Sequence, residues 1–162
     1  MQGLPMDERV ERALPYLRKA GLVPDPIPSE ARAMAAKVVT DAGPRLSVAG
    51  DILNYAEFFL PDDRMPYDDK AFDKHIRKPP APNLLRKVRD VIADAAKFDA
   101  ATLKSRVEEF ALAEGVKAGP LSQMLRVAVT GKEIGFGAYE TLATLGRDCC
   151  LARIDRALQK VT

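Results

Sequence analysis

Few side chains in this sequence could carry chemistry. They are one histidine, His75, two adjacent cysteines, Cys149 and Cys150, and the acidic pairs Asp62-Asp63, Asp68-Asp69 and Glu108-Glu109. His75 stands among Lys74, Arg77 and Lys78 on a polar stretch with no cysteine nearby, so it reads as a solvated surface residue rather than a metal ligand or triad member. Neighbours on a helix point about 100° apart. Cys149 and Cys150 therefore cannot bridge without breaking a helix, and two vicinal thiols are not a zinc spacing. They read as buried or half-buried small apolar residues in a reducing compartment. The acidic pairs read as solvated faces and helix starts, and no Gly-rich phosphate loop is present. No catalytic residue and no metal site emerge.

A second group of residues suits binding better. From Leu121, the residues Leu121, Met124, Leu125, Ala128 and Val129 fall on one stripe of a helix that should face a core. Arg126 lies roughly 130° from that stripe and is expected to project into solvent. Gly131 after Thr130 fits the left-handed position that closes a helix. The loop that follows, Lys132 to Gly137, carries Gly135 and Gly137, where backbone N–H and C=O groups can approach a ligand without an intervening side chain. These residues alone fit two readings, a plain helix–loop–helix turn with an exposed arginine or a small binding loop.

The elements that position these residues are helical. Met6–Ala20 carries Val10, Ala13, Leu14 and Leu17 on one stripe, acids at its start and bases at its end, and Gly21 stops it. A second helix runs from Ser29 to Gly43-Pro44. A third follows Arg45, with Leu46, Ala49, Leu53 and Ala56 on one face, and a fourth short one ends before Lys78. Five more are expected near 83–96, 99–114, 120–130, 138–145 and 147–159. Nothing alternates with period two, so the fold class is all-α. Lys78-Pro79-Pro80-Ala81-Pro82 cannot continue a helix and marks the expected boundary, giving helical subdomains at 1–78 and 83–162 joined by a linker at 79–82.

Charge is nearly balanced at +2 overall, which excludes a polybasic tail binder. Residues 1–83 hold 12 Lys/Arg against 13 Asp/Glu, whereas 84–162 hold 13 against 10, so the basic bias lies in the second half. No apolar run approaches a membrane span and MQGLPMDERVE lacks a signal-peptide core, so no membrane partner is expected and the location reads as cytoplasmic.

The segments GPLSQMLRVAVTG, KEIGFGAYETLATLG and RDCCLARIDRAL, taken together, resemble the C-terminal anticodon-binding region of bacterial-type glutamyl-tRNA synthetases. The family shows Leu-Arg, small apolar residues and Thr-Gly, then a loop, an aromatic-Glu-x-Leu helix, Leu-Gly and a final Leu-x-Arg-x-x-x-Ala helix. AGPRLSVAGDILNYAEFFL with MPYDDKA, and the opening helix ending LRKAGL, extend the likeness over nearly the whole chain. The resemblance implies two small helical subdomains in tandem that read the anticodon of glutamate tRNA.

By the same match, the arginine that reads the last anticodon base falls on Arg45. The arginine facing the first positions falls on Arg126, and the base-contacting loop falls on Gly135, Phe136, Gly137 and Ala138. Phe136 replaces a proline typical of that loop and Ala138 an aliphatic residue; Phe136 either adds stacking or belongs to the core. The class I ATP-binding signatures of the HIGH and KMSKS type are missing here. The resemblance therefore implies no cofactor in this chain, with ATP and Mg used by the catalytic domain of a parent synthetase, which would be a partner alongside the anticodon loop of tRNA(Glu). A helical module that binds tRNA or protein without a catalytic domain is the alternative.

Overall fold

The apolar stripes predicted from spacing become the contacts that build the molecule. The computed structural model describes residues 3–161; among the described residues it is helical, with no strand. The chain divides into two compact units, one ending at Pro61 and the other beginning at Asp62.

In the first unit, α1 (Met6–Lys19) packs on α2 (Ser29–Ala42) and on a 3₁₀ segment (Ala49–Phe58). Val10, Ala13, Leu14 and Leu17 are buried, as the spacing predicts, and face Ala35, Val38, Val39 and Ala42 from α2. Gly21, at φ 76, closes α1, with the Leu22 N–H bonded to the Leu17 carbonyl at 2.9 Å. The helix expected after Arg45 differs in kind. A 3₁₀ turn, Gly43–Arg45, precedes a 3₁₀ helix whose backbone departs from helical geometry at Tyr55 (φ −116°, ψ 31°). Its turn holds three residues, so Ile52, Tyr55 and Phe58 point inward, whereas Leu53, assigned to the core by a 3.6-residue period, is exposed.

In the second unit, α3 (Asp69–Phe72) runs into a π-helical turn (Asp73–Arg77). There follow α4 (Ala81–Ala93), α5 (Ala100–Glu114), α6 (Ala118–Thr130), α7 (Ala138–Leu145) and α8 (Arg147–Val161). Helix α6 is the centre: it packs against α3, the π turn, α4, α5, α7 and α8. Burial there extends beyond the predicted stripe to Val127 and Thr130, as expected of a helix surrounded by others. Phe72 and Ile76 are fully buried, which ties residues 69–77 to this unit. The division therefore falls before these residues and not at 79–82. The proline segment opens α4 instead, with Pro82 in its first turn, where a missing N–H costs nothing.

Candidate nucleic-acid interface

The loop between α6 and α7 is fixed at its base by backbone. Gly131, at φ 79°, caps α6, and its N–H donates to the Val127 carbonyl at 2.8 Å. Its carbonyl accepts from the Asp68 N–H at 2.7 Å, and a Cβ placed on it would stand 2.0 Å from the Pro66 carbonyl oxygen. Only glycine fits both the backbone angle and the close approach. Thr130 Oγ1 donates to the Arg126 carbonyl at 2.7 Å within α6 and accepts from the Lys132 N–H at 3.4 Å, which ties the last turn of α6 to the loop.

Two further clasps shape the loop. Arg126 Nε donates to Gln123 Oε1 at 2.9 Å and Nη1 to the Phe136 carbonyl at 2.5 Å. Arg126 is thus half-buried and engaged, not projecting into solvent as the wheel suggested. The helix is enclosed on nearly all sides, so the side chain reaches along its surface to the loop carbonyl. On the other side, the Glu133 carbonyl accepts from Gln123 Nε2 at 3.4 Å. The Glu133 carboxylate lies 3.1 Å from His75 Nε2 and 4.0 Å from Lys74 Nζ. His75, expected to be solvated, is therefore mostly buried and faces the loop, its side chain only 16% exposed.

The open question about Phe136 resolves toward the core: its ring is 2% exposed, and its carbonyl rather than its ring meets Arg126. Ala138 is buried at the start of α7. Gly137 and Ile134 are the exposed parts of the loop, Ile134 at 77%. Gly135 has φ 155°, rarely adopted by other residues, and a Cβ there would come 3.2 Å from Arg126 Nη1. Arg126, Gly135 and Phe136 are thus drawn into direct contact, with Gly137 and Ala138 continuing the chain.

Arg45 belongs to the first unit. It ends the 3₁₀ turn and is exposed, with no ion pair among the described residues. Gly43, at φ 51°, begins that turn, and Leu46, fully buried, anchors its far side. Asp51 Oδ2 accepts from the N–H groups of Ser47 and Val48 at 2.8 and 3.1 Å, fixing the next bend. The Tyr55 phenol is pushed up by burial, an effect that the nearby positive charge of Arg45 opposes. The guanidinium therefore stands on a rigid turn.

A buried polar cluster that the sequence-based expectations omit lies against the end of α6. Arg153, in the Leu-x-Arg-x-x-x-Ala run of α8, is only 1% exposed. Its Nε donates to Asp62 Oδ1 at 2.8 Å, and its Nη1 to the Val129 carbonyl at 2.8 Å and to Met65 Sδ at 3.0 Å. Arg156 Nη1 donates to the carbonyls of Asp62 and Met65, at 2.9 and 2.6 Å. The Tyr67 hydroxyl reaches the carbonyls of Ala128 and Arg153, at 2.8 and 3.0 Å. Asp62, read as part of a solvated acidic turn, is instead the counter-ion of a buried arginine. The signal was present: Arg153 sits between Cys150 and Ala157, inside the apolar stripe of α8. Burial, and then the hydrogen bond from Cys149 Sγ to the same Asp62 carboxylate at 3.0 Å, hold the Cys149 thiol up at about 12. Cys150, buried, is raised as well.

A sequence profile described as an anticodon binding domain matches residues 8–158. This chain belongs to that family. Among curated proteins, this anticodon-binding domain is 31% identical over 152 residues to the glutamate–tRNA ligase of Moorella thermoacetica, covering 94% of this chain and 31% of the relative. It is 35% identical over 160 residues to that of Frankia casuarinae, covering 98% of this chain and 33% of the relative. The chain thus spans about a third of the length of the relatives it matches. A crystal structure of a glutamate tRNA ligase from Elizabethkingia meningosepticum superposes with a TM-score of 0.82 at 21% identity, over 99% of this chain and 30% of that one. That likeness shows the all-helical fold. The family resemblance read from the sequence is borne out. No helix among the described residues is long and apolar enough to cross a membrane.

Proposed function

We propose that this anticodon-binding domain reads the anticodon of glutamate tRNA, acting in the cytoplasm as part of a glutamate–tRNA ligase whose catalytic domain binds ATP and Mg. Sequence-specific RNA recognition works mostly on unstacked loop bases, read along their Watson–Crick edges. The observation that carries this reading is Arg45: an exposed guanidinium on a turn pinned by Gly43 and Leu46, with no ion pair among the described residues. Arginine only donates hydrogen bonds. It complements the O2 and N3 acceptors of a cytosine, the last anticodon base of glutamate tRNA, and meets donors on the guanine that glutamine tRNA carries there. The clasped loop supplies the second surface. Arg126 holds the loop through Phe136 and faces the first anticodon positions, while the exposed backbone at Gly137 meets a base.

Arg45→Gln tests the proposal, because an amide both donates and accepts. Affinity for glutamate tRNA should fall while that for glutamine tRNA holds or rises, narrowing their ratio by about 1–3 kcal/mol, the scale of one good base contact. If both tRNAs weaken equally and the salt dependence shrinks, Arg45 touches phosphate and not the base.

A further inference from the structure

The turn that latches the loop carries a line of lysines to which nothing above assigns a role. Lys70, Lys74 and Lys78 are all exposed. They recur every four residues along α3, the π turn and its end, which is close to one helical turn and places them on one side. Beneath them the same segment is firmly rooted: Ala71, Phe72 and Ile76 are buried, and Asp68 caps its start by accepting from the Ala71 N–H at 3.0 Å. The acids of this stretch lie on the adjacent line, and Asp73 is paired with Arg77 at 2.7 Å. Arg77 in turn lies over the Phe72 ring, 5.0 Å from its centroid. Lys74 Nζ stands 4.0 Å from Glu133, so this line borders the candidate reading loop directly.

We infer that Lys70, Lys74 and Lys78 form a phosphate rail that holds the backbone of the RNA strand whose bases the loop reads. This rests on the reading that the chain binds tRNA. Exposed ammonium groups are compact point charges that suit phosphate oxygens without selecting a base. A rail fixed to the loop through Glu133 sets the register of the strand and leaves identity to the loop and to Arg45. It predicts a sequence-independent contribution to affinity, separable from theirs by salt.

The test compares the unaltered chain, the triple variant Lys70→Gln/Lys74→Gln/Lys78→Gln, and a control with the same charge change, Lys97→Gln/Lys104→Gln/Lys117→Gln, at exposed positions of the same unit. Glutamate tRNA and the same tRNA with a guanine at its last anticodon position are titrated from 50 to 200 mM salt. Single-strand contacts contribute about 0.7 to the salt slope per phosphate, so loss of three contacts lowers the slope by about 2 and the affinity change across that range by about 18-fold. The rail predicts this loss for both tRNAs, an unchanged preference between them, and a control that behaves like the unaltered chain. An unchanged slope in the triple variant overturns the rail, as does an equal loss in the control, which would show only the effect of net charge. Failure of the unaltered chain to bind either tRNA would instead overturn the RNA-binding reading itself.

Discussion

Removing either partner of the Arg153–Asp62 pair should destabilise the second unit, but unequally, and the inequality follows from burial. Arg153 is 1% exposed, whereas the Asp62 side chain is 42% exposed. Asp62→Ala leaves a charged guanidinium inside the protein without its counter-ion. Breaking a buried pair in this way costs about 3–5 kcal/mol. Arg153→Met removes the buried charge itself and fills much of its volume, and Asp62 can then rehydrate from its exposed side. The main remaining cost is the lost charged hydrogen bond to the Val129 carbonyl, about 1.5–3 kcal/mol. The expected order is therefore Asp62→Ala worse than Arg153→Met by about 1–2 kcal/mol. The double variant should lie near Arg153→Met alone, because partners in contact are not additive. Urea unfolding followed by circular dichroism and tyrosine fluorescence gives the three values. The reasoning is refuted if Arg153→Met is the more damaging, or if the two losses simply add.

Gly131→Ala should cost about 3 kcal/mol, combining a left-handed backbone with a Cβ 2.0 Å from the Pro66 oxygen, whereas Gly115→Ala, at φ 70° in open space, should cost about 1 kcal/mol; urea midpoints distinguish them. Arg126→Ala removes the clasp on the Phe136 carbonyl and should lower stability by about 1–2 kcal/mol, with faster amide exchange at Gly135 to Gly137. A melting temperature identical to that of the unaltered chain would restore the solvent-exposed arginine read from the helical wheel. The Cys149 thiol is held at about 12 in the folded chain, so it keeps its proton where an unfolded thiol, near 8.5, releases it. Its contribution to stability is complete below about pH 8.5 and declines as pH rises toward 12. Stability measured across alkaline pH should fall less steeply in Cys149→Ala, and alkylation at neutral pH should be slow until the chain unfolds.

The helical class and most boundaries were legible because burial in this fold follows simple periods: Val10, Ala13, Leu14 and Leu17 are buried as their spacing requires. Legibility failed where the local geometry changed. Around Ile52, Tyr55 and Phe58 a three-residue turn replaced the 3.6-residue one and rotated Leu53 outward. At Pro82 a helix breaker served as a helix opener. In the candidate interface, the positions of Gly131 and Gly135 followed from their backbone freedom. The engagement of Arg126 did not, since a wheel gives the direction of a side chain but not the loop carbonyl it reaches. Asp62 was hidden for a simpler reason: its partner lies 91 residues away, and a long-range ion pair leaves no local pattern.

The central claim, that this domain discriminates by the last anticodon base, is tested most directly by one comparison. The affinity of the unaltered chain is measured for glutamate tRNA and for the same tRNA with its last anticodon cytosine changed to guanine, in one buffer. The account predicts a preference for cytosine of about 1–3 kcal/mol, roughly 5- to 150-fold. Equal affinity for the two would contradict it.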